Sequence, residues 1–135
     1  MAFRPYLFFA GTCAEAFTRY QEIFGGELTV IRLSEAPGGE VPPDGTDYVI
    51  HAAIAEGDLL LMGSDDPVTE DFRAQGMMVS YDAADADDAA RVMDALADGG
   101  EVTQALVPTF FSEAFGMCTD RFGTPWMVVA PEPAG

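Results

Sequence analysis

Short apolar runs and one stretch of helical periodicity fill the first half of the chain. Between residues 12 and 24, apolar side chains recur every three or four positions, and the pair Gly25-Gly26 follows, a pattern typical of an amphipathic helix and its end. The turn Glu56-Gly57-Asp58 has the composition of a tight hairpin, so the strands on either side are expected to be antiparallel. The predicted order is strand, helix and three strands, at residues 6–9, 12–24, 27–33, 48–55 and 59–63.

Both ends of the first predicted helix carry capping signals. Thr12 is expected to cap the N-terminus, with Glu15 three residues later completing a capping box. Gly25 is expected to take the left-handed conformation that ends many helices.

The second half of the chain repeats this order. Gly25-Gly26-Glu27-Leu28 and Gly99-Gly100-Glu101-Val102 both follow a helix and precede a strand, so the repeat is local sequence similarity as well as a shared pattern. The strands and helix of this half are predicted at residues 77–81, 84–98, 101–107, 115–119 and 126–130.

Two βαβββ modules are therefore predicted, in an α+β fold with curved mixed sheets around a cleft. The single domain 1–135 is divided into a first module at 1–64, a connector at 65–75 and a second module at 76–131. Each module alone exposes one apolar sheet face, so pairing the modules would bury it and leave a concave interior for a ligand.

Charge narrows the range of partners. The chain of 135 residues has 23 acidic residues against six arginines and no lysine, giving a formal net charge of −17. Such a surface repels phosphate, so nucleic acid and anionic membranes are not expected partners. No apolar run is long enough for a membrane helix and no signal peptide is evident, so a cytoplasmic location is expected, with Cys13 and Cys118 as free thiols.

Four segments together carry a family resemblance. They are Tyr6-Leu7-Phe8-Phe9, the helix ending Arg19-Tyr20-Gln21-Glu22-Ile23-Phe24-Gly25-Gly26-Glu27, His51-Ala52, and Phe115-Gly116-Met117-Cys118-Thr119-Asp120-Arg121-Phe122-Gly123-Thr124-Pro125-Trp126-Met127. The chain resembles the bacterial PhnB-like branch of the glyoxalase, bleomycin-resistance and dioxygenase (vicinal oxygen chelate) superfamily. Some relatives carry a ubiquinone-methyltransferase label, but no Gly-rich site for a methyl-donor nucleotide on a parallel sheet is evident here.

The resemblance also implies where a metal would bind. Metal-using members place His or Gln near the start of the first strand of each module and Glu on the last strand. In this chain those positions fall near Pro5, Gly76, Leu61 and Met127, none of which is a hard-metal ligand. No cofactor is therefore predicted, and a divalent metal would need a non-standard site.

Polar candidates for chemistry are few, and each has a structural alternative. His51 is the only histidine and a candidate general base, or else a packed strand residue. Cys118 is a candidate nucleophile or else a buried apolar residue. Arg121, with Asp120, is a candidate anion-binding residue or else part of a capped turn with a surface ion pair. Glu113 is a candidate cleft carboxylate or else simply exposed.

Aromatic side chains are numerous for a small core, and several lie beside loops expected to border the cleft. If some line the cavity, the ligand is flat or apolar and held by stacking. The predicted ligand-binding residues are Phe8, Tyr48, His51, Phe110, Phe111, Glu113, Phe115, Arg121 and Trp126.

Three functional hypotheses remain open. The first is a protein that binds a small, partly apolar molecule without the standard metal site. The second is a lyase, isomerase or dioxygenase-like enzyme with a relocated metal or with metal-free acid/base chemistry at His51. The third is a structural or regulatory homodimer. Self-association is expected in each case, because edge strands and apolar sheet faces favour a two-fold dimer.

Overall fold

The protein has an α+β fold composed of two compact units, Met1–Phe72 and Arg73–Gly135. The structure is a computed structural model, and it describes residues 2–68 and 74–133. Each unit contains a four-stranded mixed sheet with one α-helix packed on one of its faces. Among the described residues, no helix is long and apolar enough to cross a membrane.

The first unit follows the order β1, α1, β2, β3 and β4. Its elements are β1 (Tyr6–Phe9), α1 (Cys13–Phe24), β2 (Glu27–Arg32), β3 (Val49–Glu56) and β4 (Leu59–Asp65), with a turn of 3-10 helix at Leu33–Glu35. The strands lie in the order β1-β4-β3-β2. Strand β1 runs parallel to β4, with Tyr6 opposite Met62, and the other neighbours are antiparallel.

The second unit has the same order of elements and the same strand arrangement. Its elements are β5 (Val79–Asp82), α2 (Ala86–Ala97), β6 (Glu101–Val107), β7 (Phe115–Thr119) and β8 (Pro125–Val129). The sheet order is β5-β8-β7-β6, with β5 parallel to β8. The predicted βαβββ repeat is thus confirmed, with three strands at their predicted bounds and the other elements within two residues of theirs. The predicted connector 65–75 begins inside β4 and includes residues 69–73, which lie outside the described part.

Each helix covers one face of its sheet because its apolar stripe is buried there. Phe17 and Tyr20 of α1 are fully buried, with ring centroids 5.6 Å apart in an edge-to-face arrangement. Gly63 of β4 allows this close approach, since a Cβ there would lie 2.8 Å from the Phe17 ring. In the second unit, Val92, Met93 and Leu96 are the larger buried side chains of α2.

The capping predictions for α1 were wrong in detail. Thr12 makes no side-chain capping bond. The Asp65 carboxylate, at the end of β4, accepts the backbone N–H groups of Gly11 and Cys13 instead, both at 3.0 Å. Gly25 has φ 76° and ψ −162°, which is not the left-handed helical conformation but still a region that glycine adopts readily.

Candidate functional site

The two faces of the first sheet differ in chemistry. Successive side chains of a strand point to opposite faces, and the close approach of Gly63 to Phe17 identifies the helix side of β4. Leu61 and Asp65 share that side, whereas Met62 and Ser64 lie on the face without the helix. We call this second face the helix-free face.

An aromatic cluster lies on the helix-free face of the first sheet. The Tyr6 ring centroid is 5.3 Å from that of Phe8 and 5.8 Å from that of His51. The Tyr6 hydroxyl oxygen is 3.3 Å from Nδ1 of His51, within hydrogen-bond distance. Tyr6 and Phe8 come from β1 and His51 from β3, so the contact spans the intervening strand β4. We call Tyr6, Phe8 and His51 the Tyr6 cluster.

The Tyr6 cluster is accessible to a ligand. Phe8 is 55% exposed and Tyr6 38% exposed, and His51 is half-buried. Burial of these rings by a bound molecule would remove apolar surface from water, which is favourable. The cluster therefore offers exposed aromatic surface beside an imidazole nitrogen.

Ser64 adds a polar group to the same face. It lies directly opposite Phe8 in the parallel β1–β4 register, and the whole residue is only 7% exposed. Within residues 2–68 and 74–133, its hydroxyl makes no hydrogen bond to another protein group. A hydroxyl that has no protein partner, on a residue that is otherwise mostly buried, is suited to a hydrogen bond with a ligand or a water molecule.

The β4 position predicted for a superfamily metal ligand lies on the helix side of the sheet and not beside the Tyr6 cluster. Leu61 is 6% exposed on the helix side of β4, so Met62 is the β4 residue on the helix-free face beside Tyr6. In the second unit, Met127 lies opposite Ser80. Tyrosine, serine and thioether side chains do not form a donor set for a hard divalent cation. Over the described ranges, no group of three or more His, Cys, Asp or Glu side chains is arranged to hold a metal ion.

Three predicted ligand-binding phenylalanines form a second aromatic group. Phe111 lies 5.3 Å from Phe110 and 5.3 Å from Phe115 between ring centroids, both in edge-to-face arrangements. Phe110 is 93% exposed at the loop before β7. The remaining predicted aromatic of the first unit, Tyr48, is half-buried next to the start of β3.

Two predicted site residues lie on the helix side of the second sheet. Cys118 and Trp126 are opposite each other in β7 and β8, and are 0% and 2% exposed. Trp126 Nε1 donates to the Asp120 carboxylate at 2.9 Å. Burial, with the nearby Asp120 charge adding to it, raises the pKa of the Cys118 thiol to about 11. At neutral pH this thiol is therefore protonated, which disfavours a nucleophilic role.

Glu113 and Arg121 are both engaged in structural contacts. Glu113 Oε1 accepts the Ala86 backbone N–H at 2.9 Å, at the first residue of α2. Arg121 donates to the Asp98 carbonyl and carboxylate oxygens, both at 3.1 Å. These contacts agree with the structural alternative for Arg121 and give Glu113 a helix-capping contact that the sequence analysis did not anticipate. Their ligand-binding roles stay predictions.

Tyr6 and Ser64 are site residues that the sequence analysis did not select. A signal was present, because Tyr6 and Phe8 are two positions apart in a strand and must share a face. The proximity of Tyr6 to His51 could not be predicted from the sequence, because it depends on the sheet order β1-β4-β3, which brings together strands that are distant in sequence.

Comparison with known proteins places the chain in a family. The model of the family described as 3-demethylubiquinone-9 3-methyltransferase matches residues 1–129. The chain belongs to this family, in its PhnB-like branch. Protein YjdN of Escherichia coli K12 is a relative with 32% identity over 139 residues, covering 95% of this chain and 94% of YjdN.

Solved structures share the fold of this PhnB-like chain. Protein PA1353 from Pseudomonas aeruginosa has 38% identity and a TM-score of 0.88, covering 97% of this chain and 98% of PA1353. A PhnB protein from Bacillus cereus has 23% identity and a TM-score of 0.76 over 96% and 99% of the two chains, which shows the fold alone. A glyoxylase/bleomycin resistance protein/dioxygenase domain from Frankia sp. EAN1pec shares the fold at 14% identity, with a TM-score of 0.64 over 100% of this chain and 94% of that one. The fosfomycin resistance protein FosX from Listeria monocytogenes shares it at 8% identity, with a TM-score of 0.65 over 98% and 94% of the two chains.

Proposed function

We propose that this PhnB-like protein binds a small, partly apolar molecule without using the superfamily's standard metal site. The observation that carries the proposal is the exposed Tyr6 cluster, which places two aromatic rings and an imidazole on one sheet face. Aromatic rings bind flat apolar molecules through dispersion and burial, with an additional gain from favourable ring geometry. Binding by stacking needs no metal.

The positions expected for metal ligands support the same proposal. Around Tyr6, the neighbouring residue of β4 on the helix-free face is Met62. A thioether, unlike a carboxylate, has no anionic oxygen of the kind that a hard cation prefers. A cytoplasmic location and a homodimer belong to the same proposal, on the grounds given by the sequence.

A second candidate function is metal-free acid/base catalysis at His51. The observation that favours it is the 3.3 Å contact between the Tyr6 hydroxyl and His51 Nδ1. A histidine oriented by a second group is a common general base, because its ordinary pKa lies near neutrality. In this role Nδ1–H of His51 would donate to the Tyr6 hydroxyl oxygen, which leaves the Nε2 lone pair to accept a proton while the adjacent rings hold the substrate.

Methyl transfer, which the family description names, is not proposed for this chain. Each described sheet contains one parallel pair and two antiparallel pairs. The open parallel sheet with a Gly-rich turn after its first strand, which binds nucleotide cofactors in many enzymes, is not present in the described part of the chain.

Calorimetric titration with 2-ethylnaphthalene, a flat apolar probe, tests the binding proposal. Wild-type protein is expected to bind the probe and to gain thermal stability from it. Phe8→Ala should weaken binding by about three- to tenfold, as expected for one lost aromatic contact. Phe3→Ala is the matched control, because Phe3 is fully exposed ahead of β1. Equal losses in the two variants, or stoichiometric Fe, Ni, Mn or Zn in the purified protein, would contradict the proposal.

The variant His51→Phe distinguishes catalysis at His51 from ligand binding alone. This variant keeps a flat ring in the cluster but has no titratable nitrogen. Retained probe binding with loss of a turnover found for the wild-type protein would favour catalysis over binding alone.

A further inference from the structure

The contact between Tyr6 and His51 favours one of the two neutral imidazole tautomers. A phenol hydroxyl is a good donor and a poor acceptor, whereas an unprotonated imidazole nitrogen is a strong acceptor. With 3.3 Å between the Tyr6 hydroxyl and Nδ1, the favourable arrangement is donation from Tyr6 to Nδ1. In the neutral ring the proton then lies on Nε2.

The Nε2–H group of His51 is free to donate to a ligand. Over residues 2–68 and 74–133, the Tyr6 hydroxyl is the only hydrogen-bond partner of the His51 side chain. The imidazole is half-buried on the helix-free face, and Ser64 lies on the same face one strand away. The Ser64 hydroxyl is a second donor there, and the residue is only 7% exposed. The site thus pairs aromatic surface with two hydrogen-bond donors.

Net charge restricts the acceptor that these donors select. The formal charge of −17 opposes the approach of an anion. The Tyr6 cluster also contains no arginine or lysine, the side chains that most often pair with a carboxylate or phosphate ligand. A neutral carbonyl oxygen accepts one or two hydrogen bonds without that cost.

We propose that His51 Nε2–H and the Ser64 hydroxyl select a neutral aromatic molecule with a carbonyl oxygen beside its ring, and that Tyr6 is the positioning residue that fixes the His51 tautomer. This inference rests on the proposed binding function and specifies its ligand class. The aromatic ring lies against Tyr6 and Phe8, and the carbonyl oxygen accepts from His51 and Ser64. Tyr6 acts through His51 and need not touch the carbonyl group.

Three naphthalene probes test the ligand class by calorimetric titration. Wild-type protein should bind 2-acetylnaphthalene about five- to twentyfold more tightly than 2-ethylnaphthalene, the difference expected for one or two neutral hydrogen bonds. It should bind the anion 2-naphthoate more weakly than 2-acetylnaphthalene. Equal affinity for the acetyl and ethyl probes overturns the inference and leaves the proposed function standing. Binding of neither probe overturns both, and tightest binding of 2-naphthoate overturns the selection of a neutral ligand.

Variants separate the two donors from the aromatic surface. His51→Phe and Ser64→Ala should each reduce the preference for the acetyl probe, with little change for the ethyl probe. Ser80→Ala, an exposed serine on β5, is the matched control and should leave both affinities unchanged. An unchanged preference in both His51→Phe and Ser64→Ala overturns the inference.

The role of Tyr6 has a readout that needs no ligand. The chain contains one histidine, so two-dimensional ¹H–¹⁵N spectra of its imidazole are free of overlap. At a pH where the ring is neutral, the wild-type spectrum should show the proton on Nε2 and Nδ1 as a hydrogen-bonded acceptor. Tyr6→Phe should shift the Nδ1 resonance, whereas Tyr81→Phe, which removes a hydroxyl bonded to Asp88, should not. A proton on Nδ1, or an unchanged spectrum in Tyr6→Phe, overturns the positioning role.

Discussion

Asp65 and Cys13 are joined by a 3.0 Å hydrogen bond from the Cys13 backbone N–H to the Asp65 carboxylate. The same carboxylate accepts from Gly11 N–H at 3.0 Å and, through its second oxygen, from Val49 N–H at 3.0 Å. One side chain therefore connects the end of β4, the start of α1 and the start of β3. The negative charge also lies at the helix N-terminus, where it interacts favourably with the helix dipole.

Replacement of Asp65 is expected to destabilise the protein strongly. Asp65→Ala leaves three backbone N–H groups without their acceptor, so the free energy of unfolding should fall by about 2 to 4 kcal/mol. Urea denaturation measures this change. Asp58→Ala is the control, because Asp58 is exposed in the β3–β4 turn and makes no described side-chain bond. A loss no larger than that of the control would show that the carboxylate does not stabilise this junction.

A similar carboxylate organises the turn between β7 and β8. Asp120 is 6% exposed and accepts from Phe122 N–H, Thr124 N–H and Trp126 Nε1, each at 2.9 Å. Asp120→Ala should lower the free energy of unfolding by about 2 to 4 kcal/mol. It should also change the emission of Trp126, the single tryptophan, because its indole N–H loses its acceptor.

The control for Asp120 is Asp98→Ala. Asp98 forms an exposed ion pair with Arg121 at 3.1 Å, and such pairs contribute less than about 1 kcal/mol. Little change in stability and in tryptophan emission is expected. Comparable effects of the two substitutions would refute the central role given to Asp120.

The fold was predictable because its signals are local. The pairs Gly25-Gly26 and Gly99-Gly100 mark where each helix ends, and helical periodicity precedes both. Element type was therefore correct for all eight strands and both α-helices, the 3-10 turn at Leu33–Glu35 was missed, and strands β1, β6 and β7 have their predicted bounds. Errors occurred at helix ends that are capped by a residue distant in sequence. At the start of α1, the backbone N–H groups of Gly11 and Cys13 donate to Asp65, which is more than fifty residues away.

The candidate site was predictable only in part, because residue type does not identify the face of a strand. Phe8 and His51 were selected and lie in one cluster. Trp126 was selected as well, but it is buried on the helix side, where a large aromatic ring suits the core equally well. Deciding whether a strand aromatic lies in the core or on the helix-free face requires the register between β7 and β8, which cannot be inferred from the local sequence.

Glu113 allows a direct test of a capping role against a ligand-binding role. Its carboxylate accepts the Ala86 N–H at the start of α2, so Glu113→Ala should reduce stability by about 0.5 to 2 kcal/mol, as for the loss of other helix caps. Affinity for 2-acetylnaphthalene should not change. Thermal denaturation and calorimetric titration of the same preparations measure both effects. Weaker binding at unchanged stability would favour the carboxylate as a ligand-binding group.

Buried thiols predict a loss of stability at alkaline pH. Burial raises the pKa of the Cys13 thiol from 9.0 to about 12; the nearby Asp65 charge raises it further, and Arg32 lowers it in part. Burial likewise raises the pKa of the Cys118 thiol to about 11. Both thiols have a higher pKa in the folded protein than in the unfolded chain. The contribution of the two protonated thiols to the free energy of unfolding is therefore fully present below pH 9 and is lost as pH rises toward 11 to 12. Between pH 8 and pH 10 the free energy of unfolding should fall by about 1 to 3 kcal/mol. Urea denaturation at the two pH values tests this, and the double variant Cys13→Ala/Cys118→Ala should show a clearly smaller decrease. An equal decrease in the double variant would assign the alkaline loss to other groups, with Tyr81, whose pKa burial raises to about 12, the next to test.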